Sequence, residues 1–140
     1  MTERPRNRWK RWSAIGGVTI VVLGGLLVWR FSPLPSATWN VTEIVVDGNR
    51  VDPLGSTLTT GLGTITFHGC NEVAAHAGGL PWKPRLGPGS TTAMECLGPR
   101  GDLDAIWARL VQSSVTFDGA WRQTGTIRGS SVEMRITRVL

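Results

Sequence analysis

Eighteen consecutive residues, from Trp12 to Trp29, carry no ionisable side chain: "WSAIGGVTIVVLGGLLVW". As a helix rising 1.5 Å per residue this run spans about 27 Å, close to the hydrocarbon core of a bilayer. It has no polar face, as a helix on a soluble domain would. Trp12 and Trp29 bracket it, at the positions indoles favour at the two membrane interfaces. Arg4, Arg6, Arg8, Lys10 and Arg11 precede the run, and only Arg30 follows closely. The positive-inside rule then puts the N-terminus in the cytoplasm and the rest of the chain outside. The glycine pairs Gly16-Gly17 and Gly24-Gly25 lack GxxxG spacing, so no helix-dimer face is expected. A cleaved signal peptide is the competing reading, but cleavage after Ala37 would put Pro35 at −3, a poor site. No cysteine directly follows the run to carry a lipid. The expected organisation is a basic cytoplasmic tail over residues 1–12, a transmembrane signal anchor over 13–30, a Pro/Ser linker over 31–37, and an extracytoplasmic domain over 38–140. The expected location is the plasma membrane, crossed once. In "SPLPSA", Ser32 to Ala37, two prolines read as a short stiff spacer that lifts the domain off the bilayer.

The net charge of +5 belongs to the tail. Six cations up to Arg30 face Glu3 alone, whereas from Phe31 onward nine Lys and Arg face nine Asp and Glu. A nucleic-acid binder carries its basic stripe on the fold itself, so nucleic acid is not an expected partner.

The domain after the linker is rich in Gly and Thr, and its turn signals recur at strand-like intervals. Asp47-Gly48-Asn49 follows "TWNVTEIVV". Gly61-Leu62-Gly63 separates Leu58 from "TITF". Asp118-Gly119 separates "VTF" from "WRQTGTI", and Gly129-Ser130-Ser131 precedes "VEMRIT". In "VEMRIT" Val132, Met134 and Ile136 alternate with Glu133, Arg135 and Thr137, the pattern of a strand with one wet face. Ile65 and Phe67 take the inner face of "TITF". The expected fold is mostly β (α+β): a small antiparallel barrel or roll. Trp39 and Trp121 are expected in strands, within the core. Gly78-Gly79, Pro81, Pro84, Gly87, Pro88 and Gly89 mark a loop-rich stretch around Trp82. Trp82 is the candidate contact residue there, because exposed loop aromatics serve binding; the alternative is a lid over the barrel end.

One segment has helical period. In "GDLDAIWARLVQ" Leu103, Ile106, Trp107, Leu110 and Val111 fall at i, i+3, i+4, i+7 and i+8. Asp102 is the expected N-cap, Asp104 adds negative charge to the first turn, and Arg109 faces water.

Cys70 and Cys96 are the only cysteines. Outside the cytoplasm an even count favours a disulfide, worth roughly 3–4 kcal/mol for a loop of this length in the chain-entropy model. His68 and His76 flank Cys70 in "FHGCNEVAAHAG", which leaves two other chemistries to weigh. A zinc site of His68, Cys70, His76 and Cys96 has the right donors but not the spacing of a known module, and oxidised sulfurs would not ligate. A Cys70 nucleophile with His76 as its base needs a free thiolate. On the bland reading Gly69 lets the chain turn, Asn71 bonds the backbone of the corner, and both histidines are surface or loop residues. No metal or cofactor is expected on that reading.

"GCNE" at Gly69–Glu72, "TTAMEC" at Thr91–Cys96 and the helix that follows, together with Trp39, resemble the META-domain, or HslJ-like, family in order and spacing. The matched motif residues are Gly69, Cys70, Asn71, Thr92, Met94 and Cys96. The strands before "GCN" are short here, and His68 maps to no family role. The resemblance covers the outer domain and none of the first thirty-odd residues. It implies a β-rich domain with one helix, an envelope setting linked to heat shock and drug tolerance, and no established catalytic activity. The leading expectation is therefore a non-enzymatic envelope module that binds a protein, a wall component or a lipid-borne ligand under stress. The alternatives are an enzyme or metal protein built on Cys70 and the histidines, and a purely structural envelope protein.

Overall fold

Asp47 and Gly48 both have positive φ, 49° and 83°, as a two-residue type I′ hairpin requires. They reverse β1 (Ala37–Val46) into the short β2 (Asn49–Val51). The computed structural model describes residues 17–25, 34–61, 63–92 and 95–140. Beyond β2 run β3 (Thr57–Gly61), β4 (Thr64–His68), β5 (Glu72–Leu80) and β6 (Lys83–Thr91). A helix, α2 (Pro99–Gln112), then leads to β7 (Val115–Asp118), β8 (Thr124–Arg128) and β9 (Val132–Arg138). Residues 17–25 are helical and are labelled α1.

Every strand pairing is antiparallel, and β9 returns to pair with β1, so eight strands close into a barrel. β2 stands outside that ring. It shares one edge of β1 with β3, taking Ile44–Val46 where β3 takes Ala37–Asn40. Closure pairs most strand edges, which limits the templating of aggregation. Alternation fills the interior: Trp39, Ile44, Leu58, Ile65, Phe67, Ile127 and Met134 are fully buried. Trp39 meets Phe117 edge-on at 5.7 Å, and Phe67 stacks on Trp107 at 5.5 Å. The weak seam lies between β6 and β7, which pair only through Arg85–Thr116 and Leu86–Val115. Past that point α2 takes over, laying Val111 and Gln112 alongside Pro88–Thr91 of β6.

Four expectations need correction. The stretch from Gly78 to Gly89 is no loop: it is the β5–β6 hairpin, turning at Pro81-Trp82. Its prolines are tolerated because Pro84 and Pro88 lie beyond the two residues that pair with β7, and Pro88 sits by the register shift in the β5–β6 pairing. Helix α2 starts a turn early. Pro99, whose fixed φ suits the first helical position, follows Gly98 as cap, and Asp102 makes no side-chain cap. Trp121 lies in the turn between β7 and β8 rather than in a strand, and is 55 % exposed. Within the expected spacer, Leu34 is buried in the core rather than lifted off it, and the Pro35 carbonyl accepts a hydrogen bond from Thr60 Oγ1 at 2.6 Å. Among the described residues barrel packing thus includes Leu34, ahead of Thr38.

Half of the expected anchor, residues 13–30, lies outside the described residues. Its described part, α1, exposes Val18, Ile20, Val21, Val22 and Leu23. Among the described residues no helix is long and apolar enough to cross a membrane.

Candidate functional site

The strand directions give the barrel two unlike ends. At one end the β4–β5 corner, Thr92, the segment 95–98 and α2 come together. Cys70 is bonded to Cys96, with Cα atoms 6.2 Å apart. Beside the disulfide the Asp104 carboxylate, only 8 % exposed, accepts from the backbone N–H of Cys70 (3.2 Å), from that of Asn71 (2.8 Å) and from Asn71 Nδ2 (3.1 Å). The buried carboxylate is tolerated because donors surround it. Gly69 makes room: a Cβ there would fall 2.1 Å from Asp104 Oδ1 and 2.8 Å from the Phe67 ring. Thr92 ties the other motif segment down, its backbone N–H and hydroxyl both bonding the Glu72 carbonyl. Met94 lies outside the described residues. Trp107 then closes this end from within, its Nε1 donating to the Val73 carbonyl at 3.0 Å.

The histidines take no part in this corner. His68 is half-buried on the outer face of β4, with Nε2 2.9 Å from Thr59 Oγ1 and Nδ1 3.4 Å from Glu72. His76 is exposed on β5, paired with Thr64 at the far end of β4. Both are strand residues on the surface, not loop residues. Among the described residues, the grouping of three or more potential ligands is Cys70, Cys96 and Asp104, and it contains neither histidine. Its two sulfurs are bonded to each other and present no thiolate to a metal.

The opposite end is formed by the start of β1, the β3–β4 and β5–β6 turns, the β7–β8 turn and the end of β9. Here the β5–β6 hairpin outruns its neighbour: β4 begins opposite His76, so Ala77–Leu80 project beyond it. Trp82 stands at the hairpin tip, 65 % exposed. Trp121 braces the tip by donating from Nε1 to the Pro81 carbonyl at 3.1 Å. Leu80, Val139 and Leu140 are exposed around them. Underneath, Trp39 Nε1 donates to Thr60 Oγ1, which donates in turn to the Pro35 carbonyl. The chain therefore enters the barrel at this end. An open groove runs from the same rim down the outer wall, lined by Asp118, Arg122, Thr124, Thr137, Arg135 and Thr42.

Charge follows the same division. The hairpin end holds Lys83, Arg85, Arg122 and Arg138 against Asp118 alone. The helix end holds Asp47, Asp52, Glu72, Glu95, Asp102, Asp104 and Glu133 against Arg50, Arg100, Arg109 and Arg128. From that end onto the wall, Arg50, Glu43, Arg135, Glu133 and Arg128 form a chain of ion pairs with contacts of 3.0, 3.1, 3.6 and 2.9 Å. The hydrogen bond from Arg128 holds the Glu133 carboxyl below its ordinary range, and the same bond raises Arg128.

Of the sequence candidates, Gly69, Cys70, Asn71, Thr92 and Cys96 converge at the helix end, and Trp82 stands apart at the other. Two participants were missed. Asp104 shares the apolar stripe of α2 with Trp107 and Val111, at i, i+3 and i+7, and that placement was the available signal. Trp121 carried none, since its partner Pro81 lies 40 residues away.

No family model matches the chain, and no curated protein matches it. An NMR structure of a protein from Burkholderia xenovorans is similar, with a TM-score of 0.59 at 17 % identity, over 78 % of this chain and 89 % of that one. At that identity the likeness is one of fold.

Proposed function

We propose that the chain is a single-pass membrane protein whose META-like barrel works outside the cytoplasm as a non-enzymatic binding module, engaging its partner through the Trp82 tip. The observation that carries this reading is the tip itself: a large aromatic held 65 % exposed at the end of a projecting hairpin, steadied by a second, half-exposed tryptophan. Burying such rings within the domain would add stability, so their exposure points to a contact made with something else. A membrane anchor over residues 13–30 is supported by the exposed apolar side chains of α1, by the flanking charges and by the bracketing tryptophans. A disulfide in an exported domain fits the same placement. The non-enzymatic reading is supported by the Cys70 sulfur, which is already bonded, and by the separation of both histidines from it.

Two measurements on the full chain in its own envelope test the proposal. Protease added from outside should digest the barrel and spare the basic tail; a digested tail with a protected barrel would reverse the topology. A photo-crosslinking residue at position 82 should give adducts with an envelope component, and the same residue at exposed Arg50 should not. Equal labelling at both positions would remove the tip from the reading.

A further inference from the structure

We infer that the Trp82 tip rests on an anionic lipid surface, that of the membrane carrying the protein, with Trp82, Trp121 and Leu80 at the headgroup level and Lys83, Arg85 and Arg122 against lipid phosphates. The inference deepens the proposal above and rests on its membrane anchor. Three observations converge on it.

The first is chain continuity. The apolar run ends at Trp29 and barrel packing includes Leu34, so four residues lie between them. Fully extended, five such steps reach no more than about 18 Å. Pro35 is bonded to Thr60 beside the β3–β4 turn, on the rim from which the Trp82 hairpin projects. A barrel held that closely by that rim turns the hairpin end, not the helix end, toward the bilayer.

The second is charge. The barrel from Leu34 onward is neutral overall but polarised, with four cations and one carboxylate at the hairpin end and seven carboxylates with four cations at the helix end. Lys83, Arg85 and Arg122 form no ion pair among the described residues, whereas Arg50, Arg109, Arg128 and Arg135 all do. An anionic surface attracts the first end and repels the second, and such fields act within about a Debye length, ~10 Å.

The third is the side-chain mix. Exposed Trp82, Trp121 and Leu80 interleaved with Lys83, Arg85 and Arg122 make the aromatic-plus-cation composition that suits the headgroup layer, where indoles sit and long cationic side chains reach phosphate. At the helix end Leu97 is the one large apolar side chain exposed among the described residues. A protein partner for the tip would not require the tether and the tip to share a rim; a lipid surface does.

The test uses the full chain in lipid nanodiscs made with phosphatidylglycerol or with phosphatidylcholine alone, each with and without brominated acyl chains near the headgroup. The readout is the bromine-quenched tryptophan fluorescence that disappears on Trp82→Phe, which isolates the tip from the six other tryptophans. That component is expected in phosphatidylglycerol discs, and is expected to fall to the phosphatidylcholine level in high salt and in the Lys83→Gln/Arg122→Gln variant. Equal quenching in both lipids, or none in either, would overturn the inference, and the second result would return the tip to a protein or wall partner. Washing liposome-bound chain with alkaline carbonate before flotation separates the two levels. A stripped chain whose Trp82 component had been present refutes the anchor and leaves the lipid contact standing. A retained chain without that component refutes the contact and leaves the anchor standing.

Discussion

The two ends of this barrel solve opposite problems with the same kind of residue. At the helix end Trp107 is wholly buried, stacked on Phe67 and hydrogen-bonded to Val73, and a disulfide and a buried carboxylate lock the surrounding backbone. At the hairpin end Trp82 and Trp121 are largely exposed, and Trp121 is tied by its indole hydrogen bond to the Pro81 carbonyl. The helix end spends its tryptophan on stability and its polar groups on one another. The hairpin end leaves apolar area and positive charge exposed. Surface that folding does not use is where a binding function has room to lie.

If the contrast is real, substitutions should divide along it. The largest effect is expected at the helix end from Trp107→Ala, which should cost about 3–5 kcal/mol of unfolding free energy, as for other buried aromatics. Urea unfolding would measure it, and a small loss would mean that α2 does not seal the barrel. Next is Cys70→Ser, expected to cost roughly 2–5 kcal/mol and to match the Cys70/Cys96 double replacement, because either change removes the whole crosslink. Asp104→Ala should follow at about 1–3 kcal/mol, since it strands two backbone donors of the corner. Gly69→Ala offers an independent check, because its methyl would displace the same carboxylate.

The hairpin end should respond differently. Trp82→Ala should change stability by no more than about half a kcal/mol, as expected of a side chain that is 65 % exposed. A loss as large as that of Trp107→Ala would make the tip a structural element and erase the distinction. Smallest of all should be the wall pair. The Glu133 carboxyl titrates lower in the folded chain than in the unfolded one, so its contribution is complete above the ordinary carboxylate range, about pH 4.3. It is lost as pH falls through the depressed folded value. Glu133→Gln should therefore flatten the acid limb of the stability curve only slightly, because Arg128 is more than half exposed and solvent screens the pair. A large effect at neutral pH would show that the ion-pair chain is not a screened surface feature.

Much of the barrel was legible in sequence because its strands obey local rules. "VEMRIT" and "TITF" alternate cleanly, and Asp47-Gly48 fits only a few turns. The Leu103, Trp107, Leu110 and Val111 stripe placed α2 on the core for the same reason. Legibility failed where a long-range partner overrode a local signal. The glycines and prolines of 78–89 look like loop until β5 and β6 are paired, and Trp121 looks like core until Pro81 is brought to it. Asp104 looks like a helix-terminus charge, yet its partners Cys70 and Asn71 lie more than thirty residues earlier. The cysteine pairing could be expected from the count and the expected export, but the carboxylate that supports its corner could not.

Hydrogen exchange of the full chain in phosphatidylglycerol nanodiscs, set against the same chain in neutral detergent, addresses the division between the ends most directly. Amides of residues 78–86 and 119–123 should gain protection in the anionic disc, while those of 69–72 and 95–104 stay as they were. Protection gained at the helix end, or at neither end, would contradict the assignment of the hairpin end as the working face.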